Sequence, residues 1–95
     1  MPVEKAKAHP DEIECLTPAK LGSVWRHRTS HSRKEVLAGG YFDSVSSHGL
    51  MPYDVIFATF GADTGAAEHA VLVVDDVSNA SGEFARSVVV SVLNG

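Results

Sequence analysis

Apolar residues are thin at the start of the chain and gather into continuous runs towards its end. In residues 1–21, Val3, Ile13 and Leu16 are too sparse to predict a strand, and three of the four prolines (Pro2, Pro10, Pro18) lie here. One helical turn fits after Pro10 before Pro18 stops it, and the stretch reads as an extended N-terminal arm. From Ser23 to Arg28 the pattern alternates, which predicts a strand with Trp25 and His27 inward and Val24, Arg26 and Arg28 on the other face. Residues 30–38 predict a short helix. Ser30 or Ser32 can cap its first turn, Val36 and Leu37 give it an apolar face, and Gly39 and Gly40 can end it in the left-handed conformation. Tyr41 and Phe42 then anchor the exit to a core.

Residues 44–49 read as a polar loop, and Pro52 restarts the chain in an extended state. Residues 54–60 predict a strand with two largely apolar faces, and 61–65 a glycine-bearing turn. Residues 69–74 predict another strand, 75–83 a second turn region, and 85–93 a last strand. Such continuous runs need cover on both faces, from a closed barrel or from another copy of the chain. The expected fold is mainly β: a small barrel or sandwich of about four to six strands with one short helix and the N-terminal arm. The arm is residues 1–21 and the β-rich domain residues 22–95.

Ninety-five residues support one domain with a limited core, and oligomerisation is a common source of added stability at this size. No apolar run is long enough to span a membrane, and no secretory leader is expected. Charge is divided along the chain. Residues 1–34 carry a formal +3 and residues 35–95 a formal −7, giving the net −4. Between Lys20 and Lys34 lie five positive residues and no negative ones: Lys20, Arg26, Arg28, Arg33 and Lys34. This band predicts contact with an acidic partner, or with the acidic half of another copy.

Candidate chemistry is sparse. His27 and His31 are four residues apart, but their segment switches from strand to helix, so they do not share a helical face, and no metal is expected. The glycines at 39, 40, 61 and 65 lack the Gly-Lys-Ser/Thr ending of a phosphate loop. The oxygen-rich run from Asp75 to Glu83 lacks the spacing of a calcium loop. The single cysteine, Cys15, excludes an internal disulfide; it is expected to be a free thiol, with an intersubunit disulfide as the alternative. No nucleophile–base constellation is present in the pattern, no cofactor is expected, and the chain reads as non-enzymatic.

Trp25, Ala38, Gly40, Tyr41, Phe42, Leu50, Asp54 and Ile56 together resemble a small domain of tailed-phage virion proteins, the head decoration, cement or fibre proteins. Those proteins typically place a Trp-containing strand before a short helix ending in Ala-Gly-Tyr-Phe, then a loop, then Gly-Asp before a strand. The likeness covers residues 22–60. Tyr53 stands where that family usually has Gly, and His27 where Tyr is common. The resemblance implies a non-enzymatic structural role, foremost capsid decoration, in a virion assembled in the host bacterial cytoplasm. It implies the major capsid protein or other virion proteins as partners, and a homo-oligomer, with a trimer favoured. Gly40, Tyr41, Phe42, Asp54 and Ile56 would be motif and core positions. Lys20, Trp25, Arg26, Arg28, Arg33 and Lys34 would meet the partner. The alternative from the residues themselves is a small barrel that binds single-stranded nucleic acid through Trp25 and the basic band, although the acidic chain as a whole argues against it.

Overall fold

The computed structural model of the protein describes residues 6–79 and 86–93. It is mainly β. A 3₁₀ turn at Pro10–Glu12 leads into β1 (Ile13–Thr17), followed by β2 (Val24–Arg28), α1 (Arg33–Val36), a 3₁₀ helix at Tyr41–His48, β3 (Val55–Phe60), β4 (Glu68–Asn79) and β5 (Arg86–Val92). The five strands form one sheet in the order β1-β2-β3-β4-β5. Every neighbouring pair is antiparallel except β2 and β3, which run parallel with Trp25 beside Ile56 and His27 beside Ala58.

A parallel pair cannot be joined by a hairpin; it needs a crossover. Residues 29–54 supply it, carrying α1 and the long 3₁₀ helix across one face of the sheet. That face holds the core. Val36, Tyr41, Phe42, Val45 and Leu50 from the crossover pack with Ile13, Trp25, Ile56, Ala58, Phe60, Leu72, Val74 and Val88 from the strands, all buried. Among the described residues the sheet is not closed into a barrel and has no second sheet against it. The crossover does on one face what a barrel wall or partner sheet would do. The opposite, outer face remains open: Val24, Val55, Val71 and Val73 are half-buried there and Phe57 is 45% exposed.

Several local expectations change in detail. β1 occupies part of the expected arm, pairing Ile13 with His27 and Cys15 with Trp25. Only Ile13 of its residues is buried, so the strand is held by its backbone ladder and leaves no apolar period in the sequence. The arm is therefore not free as far as residue 21. Ala8 is also buried, its N–H donating to Tyr41 O at 2.9 Å and its carbonyl accepting from Ser44 Oγ at 2.7 Å; residues 1–5 lie outside the described residues.

The helix expected over 30–38 is confined to Arg33–Val36, and Ser32 is its cap. Ser32 Oγ accepts from Glu35 N at 3.2 Å and Glu35 Oε1 from Ser32 N at 2.9 Å, a reciprocal capping box. The polar loop expected over 44–49 is instead most of a 3₁₀ helix. Phe42 and Val45 fall three apart, on the same side of its three-residue turn, and both are buried. β4 runs on to Asn79 through a bulge that absorbs Asp75 between Val74 and Asp76. The rest of the expected turn, residues 80–83, and the first residue of the last expected strand, Ala85, lie outside the described residues.

Candidate functional site

The residues singled out by the sequence do not gather at one cleft. They divide between a carboxylate clamp, a buried histidine–tyrosine chain and a dispersed set of cations.

Asp54 sits just before β3 and is 2% exposed. Its Oδ1 accepts from Ser23 N at 2.8 Å, and its Oδ2 from Trp25 Nε1 at 2.8 Å and Met51 N at 3.1 Å. One carboxylate thus ties the start of β2, the indole on that strand and the end of the crossover. The adjoining backbone ties β4 as well, since Tyr53 N donates to Val74 O and Val74 N to Asp54 O, both at 2.8 Å. To present Asp54 this way the chain passes through Tyr53 at φ 74°, in the left-handed region, with the ring 77% exposed. That conformation costs an L-residue roughly 1–2 kcal/mol, whereas glycine adopts it freely. Tyr53→Gly is expected to raise stability by about 0.5–1 kcal/mol, the relieved strain exceeding the added freedom of the unfolded chain. A lower denaturation midpoint in the variant would contradict this.

On the core face, His27 is fully buried. Its Nδ1 lies 3.0 Å from Glu12 O, and a carbonyl only accepts, so this nitrogen carries the proton. Nε2 is then an acceptor, and accepts a hydrogen bond from the Tyr41 hydroxyl at 3.1 Å. The Tyr41 oxygen in turn accepts from His31 Nδ1 at 2.9 Å. Phe42 and Tyr41 meet the His27 ring edge-on at centroid distances of 5.3 and 5.6 Å. Burial pulls the His27 pKa down from 6.5 to about 4, and pushes Tyr41 up to about 12. Both are therefore neutral at neutral pH. Through Glu12 O the chain pins the segment ahead of β1 to the core. Sequence spacing offered no sign of this trio, because the ring that joins the two histidines lies beyond α1.

The basic residues are not one surface. Trp25 is on the core face, 4% exposed and bonded to Asp54, so its ring cannot serve as a stacking platform beside the arginines. Arg26, on the outer face, is engaged by its own sheet. Nη1 donates to His27 O at 2.9 Å and Phe57 O at 3.0 Å, and Nη2 to Thr59 Oγ1 at 2.7 Å, with His69 Nδ1 a further 3.0 Å from that hydroxyl. Arg28 is exposed and lines a groove of about 650 Å³ together with Asp11, Glu12, Glu14 and Asp63. Lys20, and Arg33 and Lys34 on α1, are exposed elsewhere. The motif residues do converge: Tyr41, Phe42 and Ile56 are core, and Gly40 takes φ 85° to turn the chain from α1 into the 3₁₀ helix. Cys15 is a free, exposed thiol on β1.

Among the described residues no three His, Cys, Asp or Glu side chains are grouped as metal ligands, and no helix is long and apolar enough to cross a membrane. Comparison of the chain with protein-family models, with curated proteins and with solved structures finds no match.

Proposed function

We propose that this protein is a non-enzymatic structural component of a tailed-phage particle, acting as a head decoration or cement protein. One observation supports the reading above others: the positions that carry the resemblance are those that hold the domain together. Trp25 and Asp54 form the clamp; Tyr41, Phe42, Leu50 and Ile56 are core. Tyr53 has the backbone conformation suited to the glycine usual there. A small domain with one finished face and one open, partly apolar face suits repeated attachment to a lattice, where many weak contacts add. The exposed cations Lys20, Arg28, Arg33 and Lys34 then face acidic groups of the major capsid protein. The burial of Trp25 takes away the aromatic part of the nucleic-acid alternative.

The test is quantitative mass spectrometry of purified particles of the phage that encodes the chain, with immunogold labelling for position. A fixed, high ratio to the major capsid protein and labelling of the head are expected. Absence from particles while the lysate contains the protein would sink the virion reading; labelling confined to the tail would sink the decoration role.

A further inference from the structure

We propose that the free edge of β5 pairs antiparallel with the same edge of a second copy of this chain, about a two-fold axis at Ser91. This does not depend on a place in a virion. β5 is the last strand of the sheet, so among the described residues the edge away from β4 has no strand beside it. Which groups face that edge follows from the ladder. Leu93 N donates to Val71 O at 2.8 Å, so Leu93, Ser91 and Val89 turn their backbone groups towards β4, and Val88, Val90 and Val92 turn theirs outwards. The outward N–H of Val88 is already taken: it donates to Asp43 Oδ1 at 2.8 Å, from the 3₁₀ helix. The edge is therefore closed at Val88, while the outward backbone groups of Val90 and Val92 have no hydrogen-bond partner among the described residues.

That closure sets the register. Only a two-fold at Ser91 pairs Val90 with the partner's Val92, and the reverse, without disturbing Asp43. The same axis places Val89 opposite the partner's Leu93. These two side chains are 49% and 45% exposed, on the outer face. Ser91 falls opposite the partner's Ser91. An isologous contact requires self-complementarity, and this segment has it. Between Ser87 and Leu93 there is no charge and no proline, the usual guards of an edge strand. The other edge differs: β1 carries Glu14 and a register shift between Cys15 and Thr17. Growth beyond two copies is thereby discouraged, and the assembly closes as a pair in place of the trimer that the resemblance implies.

Sedimentation or light scattering over rising concentration tests this. The mass is expected to climb from the 10.1 kDa chain towards twice that value. Val89→Lys with Leu93→Lys sets like charges across the axis and should weaken pairing at least about tenfold, while Val89→Lys with Leu93→Glu sets Lys opposite Glu and should restore it to within about threefold. Circular dichroism checks that both variants remain folded. Independently, Ser91→Cys in a Cys15→Ser background should form a disulfide-linked dimer on oxidation, because directly opposed residues of a non-hydrogen-bonded pair lie about 4.5 Å apart at Cα. Ser87→Cys in the same background should not. A monomer at all concentrations, a discrete trimer, a Lys/Lys variant that pairs as tightly as the natural chain, or equal cross-linking at 87 and 91 would each overturn the proposal.

Discussion

Asp54→Ala is expected to remove about 3–5 kcal/mol of stability, against a total of roughly 5–15 kcal/mol for a whole domain. The substitution strands three donors at once: Ser23 N, Met51 N and the buried Trp25 Nε1. None of the other acceptors described above is placed to replace the lost carboxylate. Asp54→Asn should be milder, at about 1–3 kcal/mol, since its single side-chain oxygen can still accept while the amide nitrogen meets one of the donors as another donor. Denaturant unfolding followed by the fluorescence of Trp25, the one tryptophan, measures both. A double-mutant cycle with Trp25→Phe, with unfolding followed by circular dichroism because that variant lacks the fluorophore, isolates the 2.8 Å indole bond, with an expected coupling of about 1–3 kcal/mol. A loss below about 1 kcal/mol for Asp54→Ala would mean that the clamp is not a determinant of the fold.

Acid is expected to weaken the protein through His27. Its pKa is about 4 when folded and 6.5 when exposed. Between those values the unfolded chain binds a proton that the folded chain refuses, so stability falls as pH drops from about 6.5 and the full loss is reached below about pH 4. The shift corresponds to about 3 kcal/mol. The cost arises because protonation places a charge among Phe42, Tyr41 and the Glu12 carbonyl, where the nearest groups are rings and a backbone oxygen. His27→Gln should be less stable at pH 7, yet its disadvantage should shrink by about 3 kcal/mol as pH falls to 4, because the natural chain loses ground that the variant does not. Comparing the two profiles removes the titration of carboxylates common to both. Parallel profiles over that window would exclude His27 as the source of acid sensitivity.

The sequence made the centre of this fold legible and left its margins obscure. Trp25 and His27 inward with Arg26 and Arg28 outward, the serine cap of α1, the turn at Gly40 and the burial of Tyr41 and Phe42 all arise from short-range patterns, and the structure has each of them. β1 was invisible because an edge strand with one buried residue needs no apolar alternation. The continuous apolar runs of β3, β4 and β5 suggested cover on both faces, whereas the crossover covers one and the outer face keeps Phe57 half in solvent. The site-level misses share a cause. That Arg26 would be occupied by Phe57 O and Thr59, or that Asp43 would reach Val88 N, depends on strands 31 to 45 residues away, beyond any local pattern.

Cys15 gives the strand order a practical use. It is the one thiol in the chain, it is exposed, and it lies on β1, at the opposite end of the sheet from β5. A single spin label attached there marks the far end of each copy without any mutation. Two sheets joined edge to edge through β5 would hold the labels nine strand spacings apart, roughly 40 Å. Joining through β1 would bring them nearly into contact, so the native chain carries its own ruler for how copies meet.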